Sequence, residues 1–535
     1  MRSPFFIFAA RLAYLVAINQ KEMQAMNMNL NTEGMQIPLC HKRVLTEVAG
    51  DFSLPDYQPE IKRLLRIRPC VLPPASYVGA GNAEFSGTLD YYVLYMGNDG
   101  GLYCAPLHTE YTVSVPTSQD ECEAELCLAD IVPESVVGRV SAPRKLSIRC
   151  RLRSDIRMFG TLPPAEQTEG LVDPFSVERL VGEQTLAQIG SGVGDVIRLG
   201  EDILTDTHGR NMRLVCAEGQ VHVQEASCGM GVVNCRGEVE LKLMLCAEEQ
   251  GSLPDPVPTF LVRKLPFSGS VPVAAARPGS ECCVSGSCSE LSVAVEETYM
   301  HAEMGVLLCA NVMTNRSVHY TKDVYSTKKA CDCSYEAYEL PVAIRAQNGN
   351  FTQNDSVLLA EVEIPAGGSI VDVCGSADAE QMSWERGRCT LSGTAHYIVL
   401  LYADGEVSPY EISMPWKYEL ECAREPRDWR AHVQVLSCRA RVDGERIGID
   451  AEIACAAELW DTESVRVLRG VRFGEAQSAA SGAFTVCYPA NTDSLWSVAK
   501  RYATSLSAVR AANDLDADAP ADAPASIEGC KYLIV

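Results

Sequence analysis

The sequence is poor in positive charge. Its 46 lysine and arginine residues stand against 70 aspartate and glutamate residues, which gives a formal net charge of −24 over 535 residues. Nucleic-acid binding draws much of its affinity from basic side chains that displace counterions from phosphates. Anionic membrane surfaces attract basic segments for the same electrostatic reason. The composition therefore predicts no nucleic-acid partner and disfavours an anionic membrane surface.

The short motifs of common catalytic sites are also missing. The sequence contains no GxSxG, HExxH or P-loop motif, and its eight histidines are dispersed along the chain. The glycine-rich segment 190–194 lacks the lysine of a P-loop and the GxGxxG spacing, so we interpret it as a turn. We therefore expect a non-enzymatic protein with no catalytic residues and no cofactor.

Long apolar runs are absent after the first residues of the chain. Residues 1–18 begin with Arg2 and an apolar stretch, as a signal peptide does, but Arg11 interrupts the stretch and no small-residue cleavage site follows. The segment is also too short to cross a bilayer. We interpret residues 1–35 as a non-native or leader-like segment, with a weak secretion signal or a short amphipathic anchor as alternatives. We expect no integral membrane span.

Helical periodicity is almost absent before residue 490. Alternating apolar and polar residues, rich in aromatic and β-branched types, fill segments such as 83–95 and 136–152. Breaks of glycine, asparagine, aspartate and proline separate them, for example at 97–101. This pattern is typical of antiparallel hairpins and sandwiches. The sequence therefore predicts a mainly β protein.

A glycine-led strand pattern recurs three times. It surrounds Gly87, Gly237 and Gly393, and the spacings are 237 − 87 = 150 and 393 − 237 = 156 residues. Each copy has a short strand before the glycine and a proline-marked segment after the strand that the glycine opens. Near-equal spacing of similar surroundings indicates internal repetition. We expect three tandem antiparallel β-sandwich-like domains.

Two polar segments lie between these domains and are interpreted as extended linkers or edge strands. The predicted organisation is a leader-like segment at 1–35, a first β-domain at 36–160, a linker at 161–205, a second β-domain at 206–315, a linker at 316–350, a third β-domain at 351–475 and a carboxyl-terminal module at 483–535.

The sequence has 23 cysteines, an odd number, so at least one thiol stays unpaired or pairs with another chain. Many of them lie in apolar alternations, where cysteine acts as a small buried hydrophobe. Cys331 and Cys333 form a CxC, and Cys282, Cys283 and Cys288 cluster in a segment rich in serine and glycine that we interpret as a loop. Neither group has the paired CxxC spacing of a tetrahedral zinc site. We expect no metal, mostly structural thiols, and intermolecular cross-linking as the alternative.

The last 53 residues have a different character. Segment 483–488 is predicted to be a strand, 495–501 and 506–512 are predicted to be helices, and the chain ends in a predicted strand. Asp493 or Ser494 is a suitable amino-terminal cap for the first helix, because a short oxygen-bearing side chain accepts from the free amides there. The sequence therefore predicts a βααβ module.

This module resembles a LysM domain. The matching residues are Asp493, Ser494, Leu495, Trp496, Ala499, Lys500, Tyr502, Asn513, Leu515, Gly529, Leu533 and Ile534. Two features depart from the family pattern, since Thr492 replaces a loop glycine and the second loop is longer and more acidic. Glycine at that loop position permits positive φ and close backbone approach.

The LysM resemblance implies a shallow groove between the loop after the first strand and the loop after the second helix. In the family, glycans containing N-acetylglucosamine lie in that groove. By this resemblance, the glycan- or partner-binding residues are Asp493, Ser494, Leu495, Asn513, Leu515 and Ile527. The groove could instead dock a protein, and Leu495 could belong to the core.

The body of the chain resembles the SPOCS repeat. Segments 51–67 (DFSLPDYQPEIKRLLRI), 86–95 (SGTLDYYVLY) and 142–152 (APRKLSIRCRL) match its first copy, and 323–329 (DVYSTKK) resembles the inter-repeat segment. Three SPOCS copies followed by one LysM domain is an architecture of spore coat morphogenesis proteins in endospore-forming bacteria.

That resemblance implies a scaffold of coat assembly in the mother-cell cytoplasm, at the forespore surface. Its expected partners are a spore coat basement-layer protein and peptidoglycan glycan. An exported, cell-wall protein that binds peptidoglycan is the alternative. A mature chain that starts at Met26 or Met28 with reduced thiols would indicate the cytoplasm, and a cleaved leader with oxidised cysteines would indicate export.

Overall fold

A computed structural model describes most of the chain. The residues described are 35–535 except 80, 118–123, 163–165, 170–172, 174–175, 205–210, 249–256, 297–298, 366, 478–484, 517–518 and 528–529. In these residues the protein is mainly β and has two short α-helices near its carboxyl terminus, as the sequence predicts. The leader-like segment lies outside the described residues except for Met35.

The first set of strands forms two antiparallel sheets, β1-β7-β6 and β2-β4-β5, and β3 also pairs with β4. These strands are β1 (Gln36–Ser53), β2 (Ile61–Val71), β3 (Ala75–Gly79), β4 (Asn82–Gly97), β5 (Leu102–Pro116), β6 (Leu126–Ala142) and β7 (Lys145–Thr161). The predicted break at 97–101 is the turn between β4 and β5, and Gly100 adopts a φ of 84° there.

The second set also forms two antiparallel sheets, β11-β12-β13 and β10-β15-β14, and β9 pairs with β15. A short strand, β8 (Glu166–Glu169), precedes this set and pairs with the third set. The strands are β9 (Val177–Val193), β10 (Ile197–Leu204), β11 (Asn211–Cys228), β12 (Val232–Glu248), β13 (Thr259–Pro272), β14 (Glu281–Val295) and β15 (Tyr299–Ser326).

The third set forms sheets β17-β18-β19 and β16-β21-β20, and β8 pairs in parallel with β21. Its strands are β16 (Lys329–Leu358), β17 (Ser369–Glu385), β18 (Arg388–Ala403), β19 (Glu406–Glu421), β20 (Asp428–Asp443) and β21 (Arg446–Ala476).

The three sets share one pairing pattern, and we call them units 1, 2 and 3. In each unit, the first long strand and the penultimate strand both pair with the last strand, while three strands of the other sheet form a meander. In unit 1 that sheet also contains β3. The two sheets of each unit pack on one apolar core of their own. The threefold pattern in the sequence therefore corresponds to a threefold pattern in strand pairing.

The sequence predicts that each repeated glycine opens a strand, and this prediction is wrong. Gly87, Gly237 and Gly393 lie inside β4, β12 and β18, which run unbroken through the short strand and the glycine. On the neighbouring strand they face Tyr111, Phe267 and Trp416 respectively. A large ring that covers a strand glycine supplies the cross-strand contact that the missing side chain cannot make.

Two β-bulges recur at equivalent places in every unit. One lies in the first meander strand, at Leu65, Val215 and Val371. The other lies in the penultimate strand, at residues 134, 289 and 436. A bulge interrupts the ladder and re-aims a side chain. The bulges at Leu65, Val215 and Val371 direct these three buried apolar side chains into one shared cluster.

That cluster joins the meander sheets of all three units. Leu65, Val215 and Val371 pack there with residues of the neighbouring strands, among them Met96, Met244 and Leu400. A second cluster shared by the three units contains Phe159, Ile189 and Trp460. The units therefore form a single body around common apolar contacts.

A buried ion network lies beside the first shared cluster. Arg66 Nη1 donates to Asp372 Oδ2 at 3.0 Å and its other terminal nitrogen contacts Glu218, so each unit contributes one charged group. Arg68 and Lys242 add contacts to Glu218 and Asp372. Only 2% of the Arg66 side chain is exposed. The network therefore brings charged groups of opposite sign from all three units into direct contact.

The segments interpreted as linkers or edge strands are built into sheets rather than left as linkers. Within 161–205 the described residues include β9 and β10, and 316–350 contains the end of β15 and the start of β16. Among the residues that the structure describes, β9 pairs with β15 alone and β16 with β21 alone. Their polar residues alternate with apolar ones, which suits a strand with one solvent-facing side.

The carboxyl-terminal module follows β21. It consists of β22 (Val486–Cys487), α1 (Leu495–Arg501), α2 (Leu506–Ala512), a 3₁₀ turn (Pro524–Ile527) and β23 (Leu533–Ile534). β22 and β23 are antiparallel. The predicted βααβ order is confirmed, and both helix ranges agree with the prediction. Neither helix among the described residues has the length and apolarity needed to cross a membrane.

Candidate functional site

The loop before α1 is held by side chains predicted to bind a ligand. Ser494 is the amino-terminal cap, and its hydroxyl accepts from the Ser497 amide at 3.2 Å while the Ser497 hydroxyl accepts from the Ser494 amide at 2.9 Å. This reciprocal arrangement is a capping box. Asp493 accepts from the Ala490 amide at 3.0 Å and from Arg501 at 2.6 Å.

The Arg501 hydrogen bond, followed by that of the Ala490 amide, lowers the pKa of Asp493. Asp493 is 8% exposed and Ser494 is 7% exposed. Both side chains are therefore committed to shaping the loop.

The apolar residues predicted for the groove belong to the core of the module. Leu495 is 1% exposed and Ile527 is 6% exposed, and they pack with Val498 and Leu533. Leu515 is half-buried against the same cluster. The alternative interpretation of Leu495 as a core residue agrees with this packing.

Asn513 ties the second helix to the last strand. Its side-chain amide donates to the carbonyl oxygens of Val509 at 2.7 Å and Ile534 at 2.8 Å, and its oxygen accepts from the Ile534 amide at 2.8 Å. The structure thus brings all six predicted residues around one small core. Because these side chains are used inside the module, a ligand would be contacted by backbone groups and by exposed neighbours. The binding role of the six residues stays a prediction.

The two loops of the predicted groove touch each other. The Trp496 amide donates to the Ala521 carbonyl at 2.9 Å, so the start of α1 is bonded to the loop that follows α2. On the β22–β23 side, three tyrosines are exposed: Tyr488 by 77%, Tyr532 by 56% and Tyr502 by 39%. Exposed tyrosine rings offer flat apolar faces with a polar tip.

A carboxylate that the sequence analysis did not single out connects the module to the body. Asp323, on β15, accepts from Trp496 Nε1 at 2.8 Å and from Lys500 Nζ at 2.7 Å. The Tyr335 hydroxyl of β16 donates to it as well. The Asp323 side chain is 19% exposed. We call this cluster of Asp323, Tyr335, Trp496 and Lys500 the junction.

Burial opposes the charge on Asp323, but the hydrogen bonds from Lys500, Tyr335 and Trp496 outweigh it and lower the pKa. Tyr325 adds to the junction, since its ring meets Trp496 edge-on at 4.9 Å and its hydroxyl donates to the Thr504 carbonyl at 2.7 Å. Asp323 and Tyr325 both lie in the 323–329 segment singled out by its family resemblance. The family resemblance of this segment was the signal that could have identified both residues as functional candidates.

Replacing Asp323 by alanine should loosen the module from the body. The change leaves the Trp496 indole, the Lys500 ammonium and the Tyr335 hydroxyl without their shared acceptor, at a cost of about 2 kcal/mol. We expect faster proteolytic release of the module while the strands of the body stay intact.

The matched control is Asp522→Ala. Asp522 pairs with Lys322 at 3.0 Å, but both side chains are more than one-third exposed. Such a surface pair contributes less than about 1 kcal/mol. Equal release rates in the two variants would contradict the assigned role of Asp323.

A cavity of about 1370 Å³ lies between the three units. It is lined mainly by the first meander strand and the penultimate strand of each unit, namely β2, β6, β11, β14, β17 and β20. Polar and charged groups on its wall meet across units: Arg153 pairs with Asp378 at 2.8 Å, and the His432 ring lies 3.5 Å from Asp130. Within the described part of the chain, no group of three or more potential metal ligands occurs.

Comparison with known proteins identifies one domain. Residues 491–521 match the LysM domain family, so the chain contains a LysM domain there. No curated protein matches the chain. One solved structure, described as the crystal structure of lipopolysaccharide binding protein, is 7% identical over 52% of this chain and 99% of that chain. Its TM-score of 0.08 is too low to carry any argument about fold or ligand.

Proposed function

We propose that this protein is a non-enzymatic scaffold of bacterial endospore coat assembly. In this proposal, the three-unit body makes protein contacts with the coat, and the LysM domain attaches the scaffold to peptidoglycan or to a coat basement-layer protein at the forespore surface. A LysM domain implies binding to glycans of the peptidoglycan or chitin type. The scaffold role in coat assembly is the part of the proposal that goes beyond glycan binding.

The observation that carries the proposal is the way the LysM domain is mounted. The domain is bonded through Asp323 to strands that belong to two units of the body, and the three units share apolar clusters. This arrangement holds a small binding module at a fixed place on a large protein surface, as a tether requires. A single weak site then gains strength when several copies act together.

The residues that suggest the SPOCS repeat also support the proposal. Segments 51–67, 86–95 and 142–152 span β1, β2, β4, β6 and β7, which form the core of unit 1. Units 2 and 3 repeat its strand pairing, its covered glycines and its bulges. The repeat resemblance is therefore consistent with a body of three related domains.

A fluorescent fusion of the full chain tests the proposal in a sporulating, endospore-forming bacterium. We expect the fusion to form a shell around the forespore and coat proteins to be lost from the shell when the chain is deleted. Diffuse fluorescence throughout sporulation, with normal coat recruitment in the deletion strain, would contradict the scaffold role.

The LysM match also favours a second function, that of an exported peptidoglycan-binding protein of the cell wall. The native amino terminus distinguishes this function from the coat scaffold, since export would remove a leader. The thiols are a second indicator, because exported proteins form disulfides more readily. Cys331, Cys333, Cys228 and Cys282 are among the cysteines that the structure shows as free thiols. Mass spectrometry of the native chain reads both features in one experiment.

A further inference from the structure

Two thiols lie beside each other on β16, at the junction between the LysM domain and the body. The sulfur atoms of Cys331 and Cys333 are 3.5 Å apart, and both side chains are half-buried. Residues two apart in a strand point to the same face, which places both sulfurs on one side of the chain. The carbonyl of Val324, the neighbour of Asp323, lies 3.4 Å from the Cys333 sulfur.

The local backbone suits a disulfide between these two residues. Two strand residues with one between them are about 6.6 Å apart at their Cα atoms, near the upper end of the range that a disulfide bridges. The pairing of β16 with β21 shifts register just before Cys331 and again just after Ser334. Irregularities on both sides allow the strand to shorten at this point without disturbing the regular ladder further along.

The surroundings also make one of the two sulfurs nucleophilic. The hydrogen bond from Cys331 is the main reason that the pKa of Cys333 falls to about 7, and the nearby Lys500 ammonium acts in the same direction. The same contact raises the pKa of Cys331. A thiolate at neutral pH next to a second thiol is the usual arrangement of a reactive dithiol.

We propose that Cys331 and Cys333 form a dithiol site that reacts with external disulfides. This site is separate from the predicted glycan groove, and the proposal does not depend on the spore coat function. Cys333 is the attacking group and Cys331 is the resolving group.

The reaction proceeds by two exchanges. The Cys333 thiolate attacks one sulfur of the external disulfide, a mixed disulfide forms, and the first half leaves as a thiolate. Cys331 then loses its proton and attacks the Cys333 sulfur, which releases the second half and closes the intrachain disulfide. The external disulfide is reduced to two thiols, which take up the two protons of the dithiol, and the dithiol is oxidised.

Reaction of the reduced full chain with oxidised glutathione tests the proposal. After brief exposure at pH 7, acid quenching and alkylation, peptide mass spectrometry reports which cysteines have reacted. We expect the disulfide between Cys331 and Cys333 to be the first product. In Cys331→Ala, we expect a glutathione adduct that stays on Cys333.

The matched control is a second pair of neighbouring thiols, Cys228 and Cys282. These are also half-buried, but burial raises the pKa of both, that of Cys282 to about 12. At pH 7 the thiolate fraction of Cys333 is far larger than that of Cys282, and the lower nucleophilicity of an acidic thiol offsets only part of this advantage. We therefore expect Cys333 to react on the order of a hundredfold faster than Cys282 at pH 7.

The pH dependence separates this role from simple exposure. Alkylation of Cys333 should have a midpoint near pH 7 in the native protein and a higher midpoint in Cys331→Ala, which loses the hydrogen bond. Thermal unfolding of the variant checks that the fold is unchanged. Reaction of Cys333 no faster than Cys282, or an unchanged midpoint in the variant, would overturn the proposal.

Discussion

Gly393→Ala should lower the free energy of unfolding of unit 3 by about 3 kcal/mol, although the change adds only one methyl group. Gly393 lies in the middle of β18, and a Cβ there would be 1.8 Å from the carbonyl oxygen of Asp378. Trp416 covers the other side at 3.0 Å, so the added methyl cannot be accommodated by rotation of a side chain alone. The backbone of β17 must move, which disturbs its pairing with β18.

Gly200→Ala is the matched control for this prediction. Gly200 also lies in a strand, but its nearest atom to an added Cβ is 3.9 Å away. The same change there should be neutral or slightly stabilising, because alanine restricts the unfolded chain. Urea denaturation followed by circular dichroism compares the two variants. Similar midpoints would show that the repeated glycines are not required by close backbone approach.

Arg66→Leu should cost about 3–5 kcal/mol, the range for removing one partner of a buried ion pair. The change leaves Glu218 and Asp372 with fewer compensating charges at a place where the three units meet. The control is Arg198→Leu, since Arg198 and its partner Glu290 are both more than half exposed. That variant should lose less than about 1 kcal/mol.

The same network predicts an acid dependence. Burial raises the pKa of Glu218, but the Arg66, Arg68 and Lys242 charges outweigh it and lower the value to about 2. An unfolded glutamate titrates near 4.3. This stabilisation is therefore present above about pH 4.5 and is lost as the pH falls towards 2.

The stability difference between the native protein and Arg66→Leu should accordingly shrink over that pH range. Denaturation curves at pH 7 and at low pH measure it. A difference that stays constant down to pH 2 would contradict the assigned pairing of Arg66 with Glu218.

The strands and the module were predictable because their signals are local. Alternation identified the hairpin that turns at Gly100, and apolar spacing located both helices of the module. The repeated glycines revealed the threefold pattern, although the pattern alone did not show that each glycine lies inside a strand. Each strand runs unbroken through its glycine beside a large ring on the neighbouring strand. These rings, Tyr111, Phe267 and Trp416, are far from the glycines in sequence.

The relations between units were not predictable from the sequence. Arg66 and Glu218 occupy strand positions where a charged residue usually faces solvent, and their burial arises only when three units meet. Asp323 likewise has no local signal for a junction, because its partners in the LysM domain, Trp496 and Lys500, lie 173 and 177 residues away. For the LysM domain, family resemblance identified the residues of the loops but did not show how many of their side chains are used internally.

The LysM domain's part in attachment is tested most directly by co-sedimentation of the intact chain with purified peptidoglycan. The protein should pellet with the glycan in a saturable manner, and soluble oligomers of N-acetylglucosamine should return it to the supernatant. Variants at Leu495 or Asn513 are unsuitable here, since both residues hold the fold of the domain. An intact chain that stays in the supernatant at high glycan excess, with its LysM domain still resistant to proteolytic release, would contradict the account.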